Sequence, residues 1–248
     1  MSKLMKDTCH LYTDLAWLWP MWGDATEYTD YCRHITGLIR QHARCPVTTL
    51  LDIGCGSGKN ILNLKREFTV TGMDLSPTML AQAKDLNPDC TFFQGDMRTF
   101  RYDRTFDAIL MDDAISYMNC RKDFEAAFRT AYAHLNSGGV LVVTPDVTPE
   151  TFQQNKTTAT PSTREGLDVV FVENIYDTDP TDEQYETTIL YLIRDRGRLR
   201  IETDHWTLGI FSIDTWRNVL RETGFDLHEG RYNLDGDEYT MFACVKTR

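Results

Sequence analysis

The chain has 248 residues, of which 42% are hydrophobic and 25% are charged, and its formal net charge is −11. This composition is typical of a globular protein, and the length suits one α/β domain with an insertion or two small domains. The negative charge disfavours a polyanionic partner such as DNA or tRNA, which would need a basic surface.

The sequence gives no sign of export or of a membrane anchor. No apolar run approaches the length of a membrane span, and the first residues lack the apolar core of a signal peptide. Seven cysteines occur without a Cys-x-x-Cys pair, which predicts neither a disulfide framework nor a zinc site. We therefore expect a cytoplasmic protein with no membrane partner, no nucleic-acid partner and no metal.

Aromatic side chains are frequent near the start of the chain. Tyr12, Trp17, Trp19 and Trp22 precede residues 26–43, whose apolar positions fall at helical spacing and predict an amphipathic helix. Aromatic rings can hold a sulfonium or ammonium cation by cation–π attraction. The segment could therefore form a lid over a cationic ligand, or it could simply pack onto the domain. The candidate lid residues are Tyr12, Trp17, Trp19, Trp22, Tyr28 and Tyr31.

A glycine-rich turn follows the first predicted strand. That strand, at about residues 48–53, leads into Gly-Cys-Gly-Ser-Gly at 54–58, and a second strand at about 69–74 ends in Asp74. This layout predicts a nucleoside-bearing cofactor at the carboxyl ends of two parallel strands. The dinucleotide fingerprint needs a glycine where this chain has Lys59, which disfavours an NAD-dependent oxidoreductase.

Predicted strands and helices alternate as far as residue 143. Ser76 followed by Pro77 is typical of a helix start, because serine caps the first turn and proline suits the first helical position. Such alternation predicts a parallel sheet with both faces covered. The further strands predicted here are at about 91–93, 106–111 and 135–143.

The pattern changes after the fifth strand. Residues 146–166 are polar and rich in threonine and proline, and we interpret them as a loop. Strand-like runs separated by turn signals then predict hairpins, and hence an antiparallel unit. The predicted elements are strands at 169–176, 185–194 and 199–206, a helix at 212–223, and two last strands at about 225–232 and 239–246.

Four stretches, in this order, resemble the motifs of the class I S-adenosylmethionine (SAM) dependent methyltransferases. The run Asp-x-Gly-x-Gly-x-Gly at 52–58 and Asp74 are similar to the first two motifs. Residues 94–97 resemble the adenine-contacting turn, and residues 135–143 resemble the turn and fifth strand. The resemblance implies an α/β, Rossmann-like fold with a seven-stranded sheet and SAM as the cofactor.

Further stretches resemble one subgroup, the small-molecule methyltransferases that N,N-dimethylate nucleotide-linked amino sugars. They are residues 93–100, 149–152 and 205–211. In that subgroup an antiparallel insertion after strand five forms one wall of the substrate cavity. The implied organisation is an N-terminal aromatic lid and helix at 1–45, a SAM-binding core at 46–147 and 209–248, and the antiparallel substrate-cavity insertion at 148–208.

The class resemblance implies roles for the acids that end the strands. Asp52 would organise the glycine loop and the methionine amino group, or would merely cap the turn. Asp74 would accept hydrogen bonds from both ribose hydroxyls. Asp96 would accept from the adenine amino group, or is an ordinary turn aspartate. The residues expected at the cofactor are Asp52, Gly54, Cys55, Gly56, Gly58, Asp74, Leu75, Met79, Gly95, Asp96, Met97, Met111 and Asp112.

Asp112 and Asp113 depart from the subgroup, whose loop after strand four is apolar or hydroxylic. Two acids facing a cleft favour a cationic amine, or the cationic groups of the cofactor itself, and one could accept a proton. Ordinary loop acids facing water are the alternative. The extra negative charge opposes a nucleotide-linked substrate, because it would repel a pyrophosphate.

Three residues are predicted to take part in catalysis. Tyr12 matches the N-terminal tyrosine that lies near the methyl donor in the subgroup, and Asp113 is the candidate base. His205 suits general acid–base work because imidazole titrates near neutral pH, although a structural histidine is the alternative.

The resulting prediction is a SAM-dependent methyltransferase, acting as a monomer or homodimer, that moves a methyl group in line to a small molecule, with an amine nitrogen as the favoured acceptor. An O-methyltransferase and a non-catalytic SAM-binding protein are the alternatives. An NAD-dependent oxidoreductase fits the sequence less well.

Overall fold

The computed structural model describes residues 9–234 and 237–247, so residues 1–8 of the predicted N-terminal lid lie outside the described part. Its strands form two sheets. In chain order the strands are β1 (Thr49–Ile53), β2 (Thr69–Asp74), β3 (Thr91–Gln94), β4 (Phe106–Met111), β5 (Leu135–Val143), β6 (Thr157–Arg164), β7 (Leu167–Tyr176), β8 (Gln184–Asp195), β9 (Arg198–Gly209), β10 (Phe225–Leu234) and β11 (Asp237–Lys246).

The larger sheet has seven strands in the order β10-β11-β5-β4-β1-β2-β3. Strands β1 to β5 pair in parallel, whereas β11 runs antiparallel to both β5 and β10. The strand order reverses between β1 and β4, so a crevice is expected at the carboxyl ends of these two strands. The predicted Rossmann-like sheet of seven strands is confirmed.

Helices cover both faces of this sheet. They are α1 (Thr29–His42), α2 (Lys59–Leu64), α3 (Pro77–Leu86), α4 (Arg121–His134) and α5 (Ile213–Thr223). Side chains of successive strand residues pack on opposite faces of the sheet. Leu50 packs on the face covered by α1 and α2, and Leu51 packs on the face covered by α4 and α5. Ser76 caps α3 as predicted, because its hydroxyl accepts from the backbone N–H of Met79.

The second sheet is antiparallel, in the order β6-β7-β8-β9. Strand β6 corrects the sequence prediction, which placed residues 146–166 in a loop. Its threonines are β-branched and suit an extended backbone, and its place at the sheet edge tolerates Pro161 and leaves most of its side chains exposed. An exposed edge strand carries no alternation of apolar and polar residues, so its sequence resembles a loop.

Residues 9–28, which we call the strap, form three short 3₁₀ turns at His10–Tyr12, Ala16–Met21 and Ala25–Tyr28. The strap buries Leu11 and Leu18 against the second sheet. The Asp204 carboxylate on β9 also accepts from the backbone N–H groups of His10 and Leu11, at 3.0 and 2.8 Å. Among the described helices, none has the length and apolar character needed to cross a membrane.

Candidate active site

A cavity of about 510 Å³ opens where the parallel strands end. Its walls come from the segments that follow β1, β2, β3 and β4, together with the strap. This is the position at which open α/β sheets bind their ligands, beside the reversal in strand order. Of the predicted site residues, those that line the cavity are Tyr12, Gly54, Cys55, Gly56, Asp74, Leu75, Gly95, Asp96, Met97, Asp112 and Asp113.

The glycine turn after β1 brings backbone to the cavity wall. Gly54 has a φ of +75°. This conformation favours glycine, because the Cβ of any other residue would crowd the adjacent backbone. A Cβ at Gly54 would also overlap the Cβ of Ala114. The N–H of Gly56 donates to Oδ2 of Asp74 at 2.8 Å, so the ends of β1 and β2 are tied together.

Two acids at these strand ends differ in how their oxygens are used. Asp74 accepts from the N–H groups of Gly56 and Ser76, both at 2.8 Å, and still borders the cavity. Asp52 is only 2% exposed, and its Oδ2 has no hydrogen-bond partner among the described residues. Burial, followed by the nearby Asp112 and Asp74, raises the pKa of Asp52 well above its usual range. A buried carboxylate oxygen without a donor is unusual, and Asp52 lies within β1, behind the cavity wall.

Asp96 lies on the cavity wall in the turn after β3. Its carboxylate forms a bidentate pair with Arg98, at 2.9 Å to Nε and 2.6 Å to Nη2. Arg98 also donates to Asp123 at 2.6 Å. The hydrogen bonds from Arg98 lower the pKa of Asp96, so the turn carries a fixed carboxylate whose remaining lone pairs can accept from an adenine amino group.

Asp112 and Asp113 follow β4 and form the most acidic part of the wall. Asp112 accepts from the Tyr31 hydroxyl, and from Nδ2 of Asn60 at 3.0 Å. Asp113 borders the open cavity, and no side-chain hydrogen bond holds its carboxylate among the described contacts. Asp113 has a φ of +47°, a strained backbone that costs about 1–3 kcal/mol and is typical of functional sites.

Electrostatic repulsion shapes the ionisation of this pair. The adjacent Asp112, then burial, then Asp146 raise the pKa of Asp113 well above its usual range. Burial raises the pKa of Asp112 as well, while the hydrogen bonds from Tyr31 and Asn60 oppose that change. Asp113 is therefore the carboxylate that gains most from a nearby cation or from taking up a proton.

Aromatic rings close the cavity beside these acids. The hydroxyl oxygens of Tyr12 and Tyr117 lie 2.7 Å apart. The ring of Tyr12 lies 5.7 Å from those of Trp19, Tyr117 and Trp206. Burial raises the pKa of Tyr12 far above its ordinary value, so its hydroxyl stays protonated at neutral pH.

His205, one of the predicted catalytic residues, does not line the cavity. Its neighbour Trp206 points towards Tyr12 and Tyr117, and successive residues of a strand face opposite sides of the sheet. His205 is buried on the other side, where Nδ1 lies 3.2 Å from Oγ1 of Thr188. The other predicted residues that do not line the cavity are Asp52, Gly58, Met79 and Met111, which lie behind its wall.

Sequence reasoning missed several residues that border or support the cavity. Lys59 was used only to argue against a dinucleotide fold, yet it lines the cavity. Asn60 was not predicted, and Tyr31 was expected only as part of an aromatic lid, yet they hold Asp112 across 52 and 81 residues of chain. A lysine at the start of a helix after a glycine turn was the available signal for Lys59, and the long-range partners of Asp112 had none.

Comparison with known proteins gives consistent results. Residues 50–139 match the family model of a methyltransferase domain. The chain is 36% identical over 155 residues to a dTDP-3-amino-3,4,6-trideoxy-alpha-D-glucopyranose N,N-dimethyltransferase of Streptomyces venezuelae, an alignment that covers 61% of this chain and 65% of the relative. It is 29% identical over 209 residues to a dTDP-3-amino-3,6-dideoxy-alpha-D-glucopyranose N,N-dimethyltransferase of Streptomyces fradiae, covering 83% and 80%.

Solved structures agree with the sequence relatives. The crystal structure of Streptomyces venezuelae DesVI superposes with a TM-score of 0.82 at 26% identity, over 97% of this chain and 99% of that one. SAM-bound CalS10, an amino pentose methyltransferase from Micromonospora echinaspora, superposes with a TM-score of 0.81 at 25% identity over the whole of both chains.

Proposed function

We propose that this chain, which is a class I SAM-dependent methyltransferase, methylates the nitrogen of a small-molecule amine. The observation that carries the proposal is the acidic wall formed by Asp112 and Asp113 at the cofactor cavity. An amine enters the cavity as an ammonium ion, and the carboxylates of the acidic wall attract it.

The cofactor fits the residues on the cavity wall. Asp74 keeps acceptor capacity for two ribose hydroxyls. Asp52 lies behind the wall and supports the glycine turn from within β1. Met97 and Asp96 are suited to the adenine ring and its amino group. When bound, SAM supplies an electrophilic methyl group on a good leaving group. The protein mainly aligns the acceptor with that group, a contribution of roughly 7–11 kcal/mol where alignment is complete.

The charge on the cavity wall favours a cationic acceptor over a phosphate. Among the described residues that line the cavity, the cationic side chains are Lys59 and Arg98. Lys59 donates to backbone carbonyls of the strap, and Arg98 is paired with Asp96 and Asp123. A pyrophosphate would therefore meet Asp112 and Asp113 without a cation to offset them.

Asp113 is the proposed proton acceptor. An ammonium nitrogen has no lone pair, so it must lose a proton before it can bond to a methyl carbon. Asp113 takes that proton, and its raised pKa brings it closer to the range in which a general base works well at neutral pH. Each methyl transfer leaves the nitrogen positively charged again, so the same carboxylate can serve a second transfer after its proton has left to solvent.

Tyr12 is the proposed positioning group on the acceptor side. Its hydroxyl is held by Tyr117 and its ring by Trp19 and Trp206. The rings keep water from the reacting nitrogen and present π faces to an ammonium or sulfonium cation. His205 has no proposed catalytic role, because the pleat turns it away from this wall.

A nucleotide-linked amino sugar is the second candidate substrate, since two relatives are named for such substrates. The acidic wall opposes it. An oxygen acceptor is a further alternative, and so is SAM binding without catalysis. We also propose that the protein acts in the cytoplasm, as a monomer or homodimer, without a nucleic-acid partner, which agrees with its net charge of −11.

The first test measures SAM and NAD binding by calorimetry. Wild type is expected to bind SAM and not NAD. Asp74→Asn should weaken SAM binding by about 1–3 kcal/mol, or roughly 5- to 150-fold, because a charge-assisted acceptor for the ribose is lost. Asp89→Asn makes the same chemical change at an exposed surface carboxylate paired with Lys65 and should bind normally. Binding of NAD in place of SAM would contradict the proposal.

The second test compares acceptors in a methyl-transfer assay. Small amines and amino sugars without phosphate should be methylated with a higher kcat/KM than dTDP-linked amino sugars. High ionic strength should raise KM for the amine, because salt screens the attraction of the acidic wall. A strong preference for the dTDP-linked compound would support the second candidate, and transfer only to hydroxyl compounds would support the oxygen acceptor.

A further inference from the structure

Lys59 holds a buried ammonium group beneath the strap. It is the first residue of α2 and is 8% exposed. Its Nζ donates to the carbonyl oxygens of Trp22 at 2.5 Å, Gly23 at 2.8 Å and Trp19 at 3.2 Å. All three protons of the ammonium group are therefore directed at one short stretch of strap backbone.

These carbonyls lie at the end of the 3₁₀ turn at Ala16–Met21, where helical backbone runs out of intrahelical donors. The carbonyl of Trp19 also accepts from the N–H of Trp22 at 3.1 Å. A cation at such an end also matches the negative pole of the turn. The ring centroids of Trp19 and Tyr28 lie 5.3 and 5.9 Å from Nζ, which adds cation–π attraction.

The charge is costly to keep in this place. Burial lowers the pKa of Lys59 to about 8, although Glu27 and Asp24 act in the opposite direction. Among the described residues that follow β2, the side chains that donate to strap carbonyls are neutral, whereas Asp204 on β9 accepts from strap N–H groups. Ser76 Oγ donates to the carbonyl of Tyr12, and Gln82 Nε2 donates to that of Ala16.

The part of the strap that Lys59 holds is also part of the cavity wall. Tyr12, Thr13, Trp19 and Tyr28 of the strap line the cavity, as does Lys59 itself. The strap therefore covers the same space that the glycine turn and Asp74 offer to the cofactor. A nucleoside ligand enclosed between these walls leaves more easily when the strap moves away.

We propose that Lys59 is a positioning residue that latches the strap over the bound cofactor and thereby slows the release of the demethylated cofactor. The proposal rests on the proposed function only for the identity of the ligand. Its test therefore uses binding of S-adenosylhomocysteine, and turnover of an amine is not required.

The variant Lys59→Met keeps a long unbranched side chain but removes the ammonium donor from three carbonyls. Among the described contacts, only the carbonyl of Trp19 keeps a second donor, the N–H of Trp22. The dissociation rate of S-adenosylhomocysteine, followed by stopped-flow tryptophan fluorescence, should rise about 10-fold or more, while the association rate should change less. Lys59→Arg keeps the charge and donors and should restore part of the slow release. Lys84→Met, at an exposed position of α3, is the matched control and should leave the rate unchanged.

Hydrogen exchange on the wild-type protein keeps the proposal testable if Lys59→Met does not fold. Backbone amides of residues 9–28 should exchange faster without S-adenosylhomocysteine than with it. This gain in protection on ligand binding should be larger for the strap than for the second sheet. Equal protection in both states would overturn the latch. So would a folded Lys59→Met protein that releases S-adenosylhomocysteine at the wild-type rate. A wild type that binds no S-adenosylhomocysteine would refute the cofactor assignment together with the latch.

Discussion

Asp113→Asn should lower kcat for amine methylation about 10²- to 10⁴-fold, the usual contribution of a positioned general base. Asparagine has nearly the same shape, so the cavity keeps its form and SAM binding should change little. The proton on the acceptor nitrogen then has no carboxylate to receive it. Wild-type kcat should also fall as pH falls through the raised pKa of Asp113, and the variant should lack this dependence.

The same substitution should stabilise the protein without ligand. Because the pKa of Asp113 is higher in the folded state than in the unfolded chain, the folded state binds more protons between those two values. Stability is therefore lost as pH rises through that window. Asp113 is exposed at the cavity mouth, so water screens part of this penalty. Asparagine removes what remains, and the gain in Tm should be small but larger at pH 8 than at pH 4.

Kinetics and thermal unfolding together separate the two effects. Asp103→Asn makes the same change at an exposed position and should alter neither kcat nor Tm appreciably. If Asp113→Asn kept more than a third of the wild-type kcat at pH 7, Asp113 would not be the proton acceptor. A lower Tm at pH 8 would mean that the carboxylate stabilises the fold and is not a strained functional group.

The parts of the site that sequence could predict are those built from neighbours along the chain. The turn at 54–58 requires glycine because its backbone takes positive φ at Gly54, Gly56 and Gly58. Asp74 ends a buried strand, where parallel topology carries it to the same edge of the sheet. Both constraints require a particular residue type at a particular position in the sequence. The motif and the fold could therefore be predicted together.

Other parts depend on contacts that no local pattern records. The position of Lys59 is defined by strap carbonyls 36 to 40 residues away. Every residue has a backbone carbonyl, so the sequence does not show which carbonyls will accept from Lys59. The assignment of His205 depended on which face of β9 points to the cavity, and a shift of one residue exchanges the faces. The edge strand β6 had no buried face and therefore no apolar alternation.

Gly54→Ala should weaken SAM binding more than the change at Asp74. The new methyl group would overlap the Cβ of Ala114 and would lie 3.7 Å from Cε of Met97. The obstacle at Ala114 cannot rotate away, because its Cβ is fixed to the backbone of the turn that carries Asp113. Positive φ and overpacking together cost about 2–4 kcal/mol in the native turn. The free protein relieves this cost by shifting the turn, and SAM must restore it, so the dissociation constant should rise roughly 30-fold or more.

A double variant separates the two causes of this loss. Gly54→Ala with Ala114→Gly restores the space but keeps alanine at a φ of +75°, so it should recover part of the SAM affinity measured by calorimetry. Ala114→Gly alone should bind nearly as wild type does. If the double variant binds no better than Gly54→Ala, backbone strain accounts for the whole effect. If Gly54→Ala binds SAM normally, the cofactor site does not need the close approach between residues 54 and 114.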